Sequence, residues 1–490
     1  MNQASTGLRL SLPDTRAINP YGLVPFLRWR NEVARMLLTA SPIVVIGLFN
    51  MAMSVVDIAM LGRYDPEGLA AALMVSDLYS IVFNFSAGFA GVTTQQVAAA
   101  IGARVRWQVC TIIRRTLLLV LLLGALGAGI IVFSGRILEP LGMGHSGIAR
   151  GYATFMAGTY VFMLLFALVR AVLSAIGRPG LAVLAIVAAV PLKAATNYAF
   201  IFGAWGAPEL GVAGAGLASL VVAVLMGGSL TLYMFASPSF AAFEDPQTVP
   251  FDLLGLWRIA RSGILMGLMA VSETGVFLAS TIVVGLFAPG ELIVHGLTFR
   301  LFAICYLLVV GIGQAATIRM AFLHARGAGN LEVHAKRAIL SCSVALVALV
   351  LVALVLGAAP LAQLVSSTVE TTAGLAHRVA IMLRIAGLTL AAVIPAHMIT
   401  ALLRAREDVV VPTGLTMTSY WGIALSAMLL HAAAGHGAQG VWLSLLLGAS
   451  ASSVCCTVYL WQHSLGEWLR NATRPRDSMP STRLGMGVPR

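Results

Sequence analysis

Twelve apolar stretches, each long enough to cross a bilayer, limit what this chain can fold into; they lie near residues 38–62, 68–100, 112–135, 151–176, 180–203, 211–235, 254–287, 291–322, 338–359, 376–404, 410–432 and 438–462. About 20 mostly apolar residues span the hydrocarbon core as a helix, and inside it every backbone polar group must find its partner within the segment. A chain built of such stretches is therefore an all-α polytopic membrane protein. Composition agrees, with 59% hydrophobic and 10% charged residues, where soluble domains run at about 45–50% and about 25%. The formal net charge of +12 does not point to nucleic acid, because the arginines gather at span ends, where positive residues set topology.

With the N-terminus inside, Arg104, Arg106, Arg114 and Arg115, then Arg326, Lys336 and Arg337, then Arg404 and Arg406 all fall on the cytoplasmic side. Fewer cations remain outside: Arg63, Arg136, Arg150 and Arg378. Residues 1–35 have no continuous apolar core before Met36, so they read as a cytoplasmic tail and no cleaved signal peptide is expected. Residues 464–490, with Arg470, Arg474, Arg476, Arg483 and Arg490, read as a second cytoplasmic tail. Cys110, Cys305, Cys342, Cys455 and Cys456 lack metal-ligand spacing, and neither a metal site nor a disulfide is expected.

The chain repeats itself in parallel register. Gly88-x4-Thr93-Thr94-x3-Ala98 returns as Gly311-x4-Ala316-Thr317-x3-Ala321, and Gly211-x2-Gly214-x2-Leu217 as Gly437-x2-Gly440-x2-Leu443. Six spans separate the copies, which predicts two six-helix lobes, 36–240 and 251–463, joined by a polar cytoplasmic linker at 241–250. Parallel halves with a site near the midplane form a transporter architecture in which one half rocks against the other.

Ionised groups inside apolar spans mark the candidate site, since Asp costs about 2.5–3.5 kcal/mol at a helix centre. Asn50, Ser54 and Asp57 recur along one face of the first span, and Asp77, Ser80, Asn84 and Gly88 along one face of the second. Lys193, one of two lysines in the chain, and Asn197 follow Pro191 in the fifth span. At about 1.5 Å per residue, Asp57 lies roughly 8 Å and Lys193 roughly 15 Å below the outer ends of their helices, a difference the lysine stem can cover. Glu273 in the seventh span and Arg300 in the eighth offer an acid and a base at similar depth in the second half. An Asp57–Asp77–Lys193 triad would carry one net negative charge, which a single proton neutralises. Arg404, Glu407 and Asp408 read as a structural network at a helix end, Met51, Met53, Met266 and Met269 as packing, and His295 and His397 as interior histidines with satisfied partners.

Several segments resemble the multidrug and toxic compound extrusion (MATE) transporters: VVDIAMLGRYDPEGLAAA, SAIGRPGLAV, NYAFIFGAWGAPELGVAGAGLAS, ETGVF, LLRAREDVVVP and GAQGVW. The resemblance covers nearly the whole chain. It implies two lobes in a V, an outward-opening chamber, and antiport of drugs or organic metabolites against H+ or Na+. It further implies that Asp57 is the first-helix coupling acid, Asn197 a polar neighbour in that lobe, and Glu273 the second-lobe acid. The chain departs from the pattern at Lys193 and Arg300, where relatives often have Asn, and at Val393, where several have Asp. A lysine beside Asp57 would repel Na+, so proton coupling is expected over sodium.

A small organic substrate, a monomer in the bilayer of the inner (plasma) membrane, both termini inside, and no cofactor or nucleic-acid partner complete the expectation. The alternative is a flippase for lipid-linked or amphipathic anionic substrates. No HExxH, GxSxG or Gly-rich phosphate loop occurs, so no enzyme is expected.

Overall fold

The computed structural model describes residues 25–134, 147–237, 253–366 and 374–473. Twelve membrane-scale helices run through them. In the first lobe these are α1 (Pro25–Tyr64), α2 (Pro66–Gly102), α3 (Arg106–Val132), α4 (Gly147–Ala175), α5 (Gly180–Phe202) and α6, which runs from Val212 through a π turn at Val224–Gly228 to Ala236. In the second they are α7 (Leu253–Phe287), α8 (Leu292–Ala325), α9 (Gly329–Val350, continuing as a π turn to Leu356), α10 (Leu375–Arg404), α11 (Val410 to Ala433, with a π turn at Thr418–Ala424) and α12 (Gly437–Thr473).

Eleven of the described helices are long and apolar enough to cross a membrane. The other, α11, is diluted by hydroxyl side chains, and it can carry them because Thr413, Thr416 and Ser419 are turned into protein and 2% exposed or less. The linker read at 241–250, Arg136, and the tail segments 1–24 and 474–490 lie outside the described residues. Two helices extend furthest beyond the spans read from hydropathy. α1 begins at Pro25, inside the stretch read as a tail, and α12 continues to Thr473.

Local chemistry sets the tight turn between α1 and α2. Asp65 caps α2 by accepting the Gly68 N–H at 3.0 Å, with Pro66 at the start of the helix, where its missing N–H is no loss. Each lobe has a main core, a smaller buried cluster of Phe89, Val92, Leu119, Ile259, Met266 and Val409 joins them, and α1 and α2 of the first lobe cross α7, α8 and α9 of the second.

The sequence repeat finds its physical reason at these crossings. A Cβ on Gly88 would stand 2.3 Å from the Gly267 backbone nitrogen on α7, and one on Gly311 would stand 2.4 Å from Val44 Cγ2 on α1. Each copy of the motif thus supplies the glycine that lets one lobe's helix touch the other lobe. Nearer the helix ends the approach stays as close, since a Cβ on Gly102 would lie 2.2 Å from Phe322 O. At the same end Arg319 of α8 makes a bidentate pair with Glu32 of α1 (2.7 Å for each bond), Arg35 adds a bond at 3.1 Å, and Trp29 donates to Ser341 at 3.1 Å. Glu32 is 2% exposed. These cross-lobe contacts run from mid-helix, at Gly88 and Gly311, to the end that carries the start of α1, so the lobes form a V whose shut end lies there.

Candidate functional site

Two groups of polar side chains stand inside the bundle, one within the first lobe and one between the lobes. The first is built by α1, α5 and α6. Lys193 Nζ lies 2.9 Å from Asp57 Oδ1, donates to Ala215 O at 3.3 Å, and donates to Ser219 Oγ. An ammonium has three N–H bonds, and all three are used. Asn197, one turn along α5, donates its amide to the same Asp57 oxygen at 2.7 Å. Lys193 and Asn197 are 3% and 0% exposed, and the Asp57 side chain is 23% exposed. Helix α6 can approach closely enough to offer Ala215 O because a Cβ on Gly214 would fall 2.2 Å from Phe200 O, a space only glycine leaves open. The Asn197 carbonyl oxygen is buried and has no partner.

Asp77 does not join this group. It is exposed and forms no ion pair among the described residues. The triad is therefore corrected to a dyad with an amide, for a physical reason: the lysine's donors are exhausted by Asp57, Ala215 and Ser219. Ser54 is exposed and bonds back to Asn50 O at 3.5 Å, so Asn50 and Ser54 share a helix with Asp57 without bonding to it. Ser80 and Asn84 belong to the second group.

That group lines a cavity of about 690 Å³ where the two lobes meet. Met51, Ser80, Asn84 and Arg170 come from the first lobe, and Met266, Glu273, Tyr306, Gln314, His397 and Arg404 from the second. Tyr306 donates to Glu273 Oε2 at 2.8 Å, and His397 Nδ1 lies 3.9 Å from the same oxygen. Tyr306 stacks on Phe302 at 6.0 Å between ring centroids, which fixes its hydroxyl.

Arg300 is not the base that faces Glu273. It is exposed and makes no ion pair among the described residues. A helix repeat explains this: Phe302 and Tyr306 of α8 point into the lobe, and Arg300 falls on another face. His397 takes the place expected of the base, and it is not a satisfied interior histidine, because its Nδ1 is buried without a hydrogen bond. Arg404 likewise leaves the helix-end network assigned to it. It enters the cavity, with Nη2 3.1 Å from Met269 Sδ and Nε buried and unpartnered. Asp408 instead accepts from Tyr459 at 2.7 Å. Ser219, Tyr306, Arg170 and the Glu32–Arg319 pair went unread in the sequence. Of these, Arg170 and Arg319 carried a visible signal, as arginines inside the fourth and eighth apolar spans.

A family model described as MatE matches residues 42–199 and 266–430. Among curated relatives, the probable multidrug resistance protein NorM of Bradyrhizobium diazoefficiens is 28% identical over 442 residues, covering 88% of this chain and 93% of its own. The protein of the same name from Burkholderia pseudomallei is 28% identical over 431 residues, covering 85% and 90%. Among solved structures, a MATE in the bent conformation superposes with a TM-score of 0.78 at 17% identity, covering 92% of this chain and 99% of that one. A MOP superfamily transporter from Pyrococcus furiosus superposes with a TM-score of 0.76 at 19% identity, covering 92% and 100%.

Proposed function

The chain belongs to the MatE family, and from that premise we propose that this multi-pass membrane protein exports drugs or other small organic compounds in exchange for protons. The named relatives are described as multidrug resistance proteins, which supports the export reading. In this reading the shut end of the V faces the cytoplasm, the splayed end faces outward across the inner membrane, and one copy of the chain suffices. The flippase alternative is not favoured by these matches. The cation that kept it open in the first lobe, Lys193, is tied to protein on all three donors and unavailable to a headgroup.

The observation that carries proton over sodium is the Lys193 ammonium 2.9 Å from Asp57. A cation already occupies the carboxylate, and a second one about 4 Å from it would meet a repulsion of roughly 4 kcal/mol at an effective dielectric near 20. A proton faces no such competitor for coordination, because it bonds directly to the carboxylate. Asp57 Oδ1 is engaged twice, which leaves Oδ2 as the acceptor on a partly exposed side chain. Protonation removes the negative charge that holds Lys193 and Asn197, loosens α1 from α5, and so biases the lobe toward its other packing. The proton belongs to the coupled group and not to one residue. Glu273, bonded to Tyr306 and facing His397, supplies a second acid in the cavity itself.

Reconstituted protein in vesicles, loaded with rhodamine 123 and given either an imposed pH gradient or an imposed Na+ gradient, tests this directly. Flux driven by the pH gradient and abolished in Asp57→Asn is expected. Flux driven by Na+ alone refutes the coupling, and unimpaired flux in Asp57→Asn refutes the first-lobe site.

A further inference from the structure

We infer that the inner part of the cavity binds the carboxylate of an amphipathic substrate, through Arg170 and Arg404. The inference rests on the transport reading above and names its substrate class. Both arginines line the cavity between the lobes, Arg170 from α4 and Arg404 from α10. Arg170 lies about 7.5 Å from the end of α4, at 1.5 Å per residue, and Arg404 is the last residue of α10, so both stand near the shut end.

These helices hold the same place in the two halves, as the fourth helix of each, and the arginines sit in matching segments, Ala167-Leu168-Val169-Arg170-Ala171 and Ala401-Leu402-Leu403-Arg404-Ala405. The duplicated fold thus delivers one guanidinium from each lobe to the same space. A contact shared by both would fix the substrate across the seam where the lobes move.

Neither guanidinium has an ion-pair partner within 4 Å among the described residues. Arg170 makes no hydrogen bond or ion pair among the described residues. Among the described residues Arg404 reaches only the Met269 thioether, a weak acceptor, at 3.1 Å, and its Nε is buried and unpartnered. The single carboxylate on the cavity wall, Glu273, is taken by Tyr306 at 2.8 Å and forms no ion pair within 4 Å with either arginine. Counting Arg170, Arg404 and Glu273, the wall carries one net positive charge with neutral histidine.

The dipole at the end of α10 favours a cation at Arg404 and helps it stand there, but it consumes none of the side-chain donors. Guanidinium donors left over in a site partly removed from water are the arrangement that recognises a planar carboxylate in two-bond fashion. Phe277, Phe299 and Phe302, also on the wall, offer apolar surface for an aromatic body. The preferred occupant is therefore an aromatic or otherwise amphipathic acid, anionic or zwitterionic, over a simple lipophilic cation.

Rhodamine 110 and rhodamine 123 provide the test, because they share one cationic fluorophore and differ in a free carboxylate against its methyl ester. Fluorescence anisotropy with the full-length protein in nanodiscs should show rhodamine 110 bound at least about tenfold more tightly, the size of one charge-assisted bond. Arg170→Gln and Arg404→Gln should each bring the two dyes to within about twofold, with Arg170→Lys retaining part of the preference. Equal binding of both dyes by the unmodified protein overturns the inference without recourse to any variant. A preference that survives in both glutamine variants overturns it as well. Vesicle flux separates the two readings. Gradient-driven flux of rhodamine 123 without preferential binding of rhodamine 110 removes the carboxylate site and keeps the exporter. Preferential binding with no gradient-driven flux of either dye keeps the site and removes the exporter.

Discussion

Asp57→Asn perturbs this protein at the point where its interior depends most on a single charge. Lys193 is 3% exposed, and of its three acceptors only the Asp57 carboxylate is ionised. Asparagine keeps the shape and removes the counter-charge, and stripping one partner from a buried pair costs about 3–5 kcal/mol because the remaining ion stays in a low-dielectric interior. The Asp57 side chain is 23% exposed, and water at that edge relaxes part of the penalty, which places the expected loss at about 3 kcal/mol. Lys193→Met removes the cation and leaves a partly hydrated carboxylate bonded to Asn197, a loss of about 1–3 kcal/mol. With both substitutions no uncompensated charge remains, so the double variant should be more stable than the two single losses predict, by about 2–3 kcal/mol. Equilibrium unfolding in mixed micelles, read by tryptophan fluorescence for the four proteins, measures that coupling. Additive losses would refute the closed dyad, and with it the claim that protonation of Asp57 releases α1 from α5. Proton-driven flux should be lost in all three variants.

Glu32→Gln breaks the bidentate cross-lobe pair with Arg319 at a site 2% exposed; about 3–5 kcal/mol is at stake. A cysteine placed at Ser341 should then react with an impermeant maleimide at least about tenfold faster, tenfold being 1.4 kcal/mol, and an unchanged rate would show that the pair does not hold this end shut. Gly88→Val drives a side chain into the α7 backbone 2.3 Å away, so the crossing must open. The same labelling should rise while flux falls, and wild-type values for both would contradict the tight crossing. Tyr306→Phe removes the hydrogen bond to Glu273, a loss of about 1.5–3 kcal/mol for a charged acceptor, measurable by the same unfolding assay. Arg300→Ala should leave flux within about twofold of wild type, because Arg300 is exposed and does not pair with Glu273; a large loss would return it to the site.

The fold was legible in the sequence because the bilayer permits so few answers. Apolar runs of span length become helices, Arg placement reports which ends sit together, and the repeated Gly88 and Gly311 motifs announce two copies of one unit. The closeness of Lys193 to Asp57 was also legible, since the lysine stem covers their difference in depth, whereas Asn197 was placed in that lobe by the family resemblance. Other residues deceived for a common reason. Asp77 and Arg300 sit in apolar spans as Asp57 and Glu273 do, and hydropathy measures depth without measuring direction. Direction follows from how each helix is rotated against its neighbours, and that is settled by packing.

Length and apolarity of the spans, the duplication, and the charges submerged in them were determined by the sequence itself, because each is a local property that water and lipid read one helix at a time. Tertiary structure alone decided that Lys193 spends its donors on α1 and α6, that His397 and not Arg300 faces Glu273, and that Arg170 and Arg404 arrive in one cavity with donors to spare. Those outcomes depend on which faces of distant helices meet. That is fixed by glycine-sized gaps and side-chain volumes across the bundle, quantities that no single span contains.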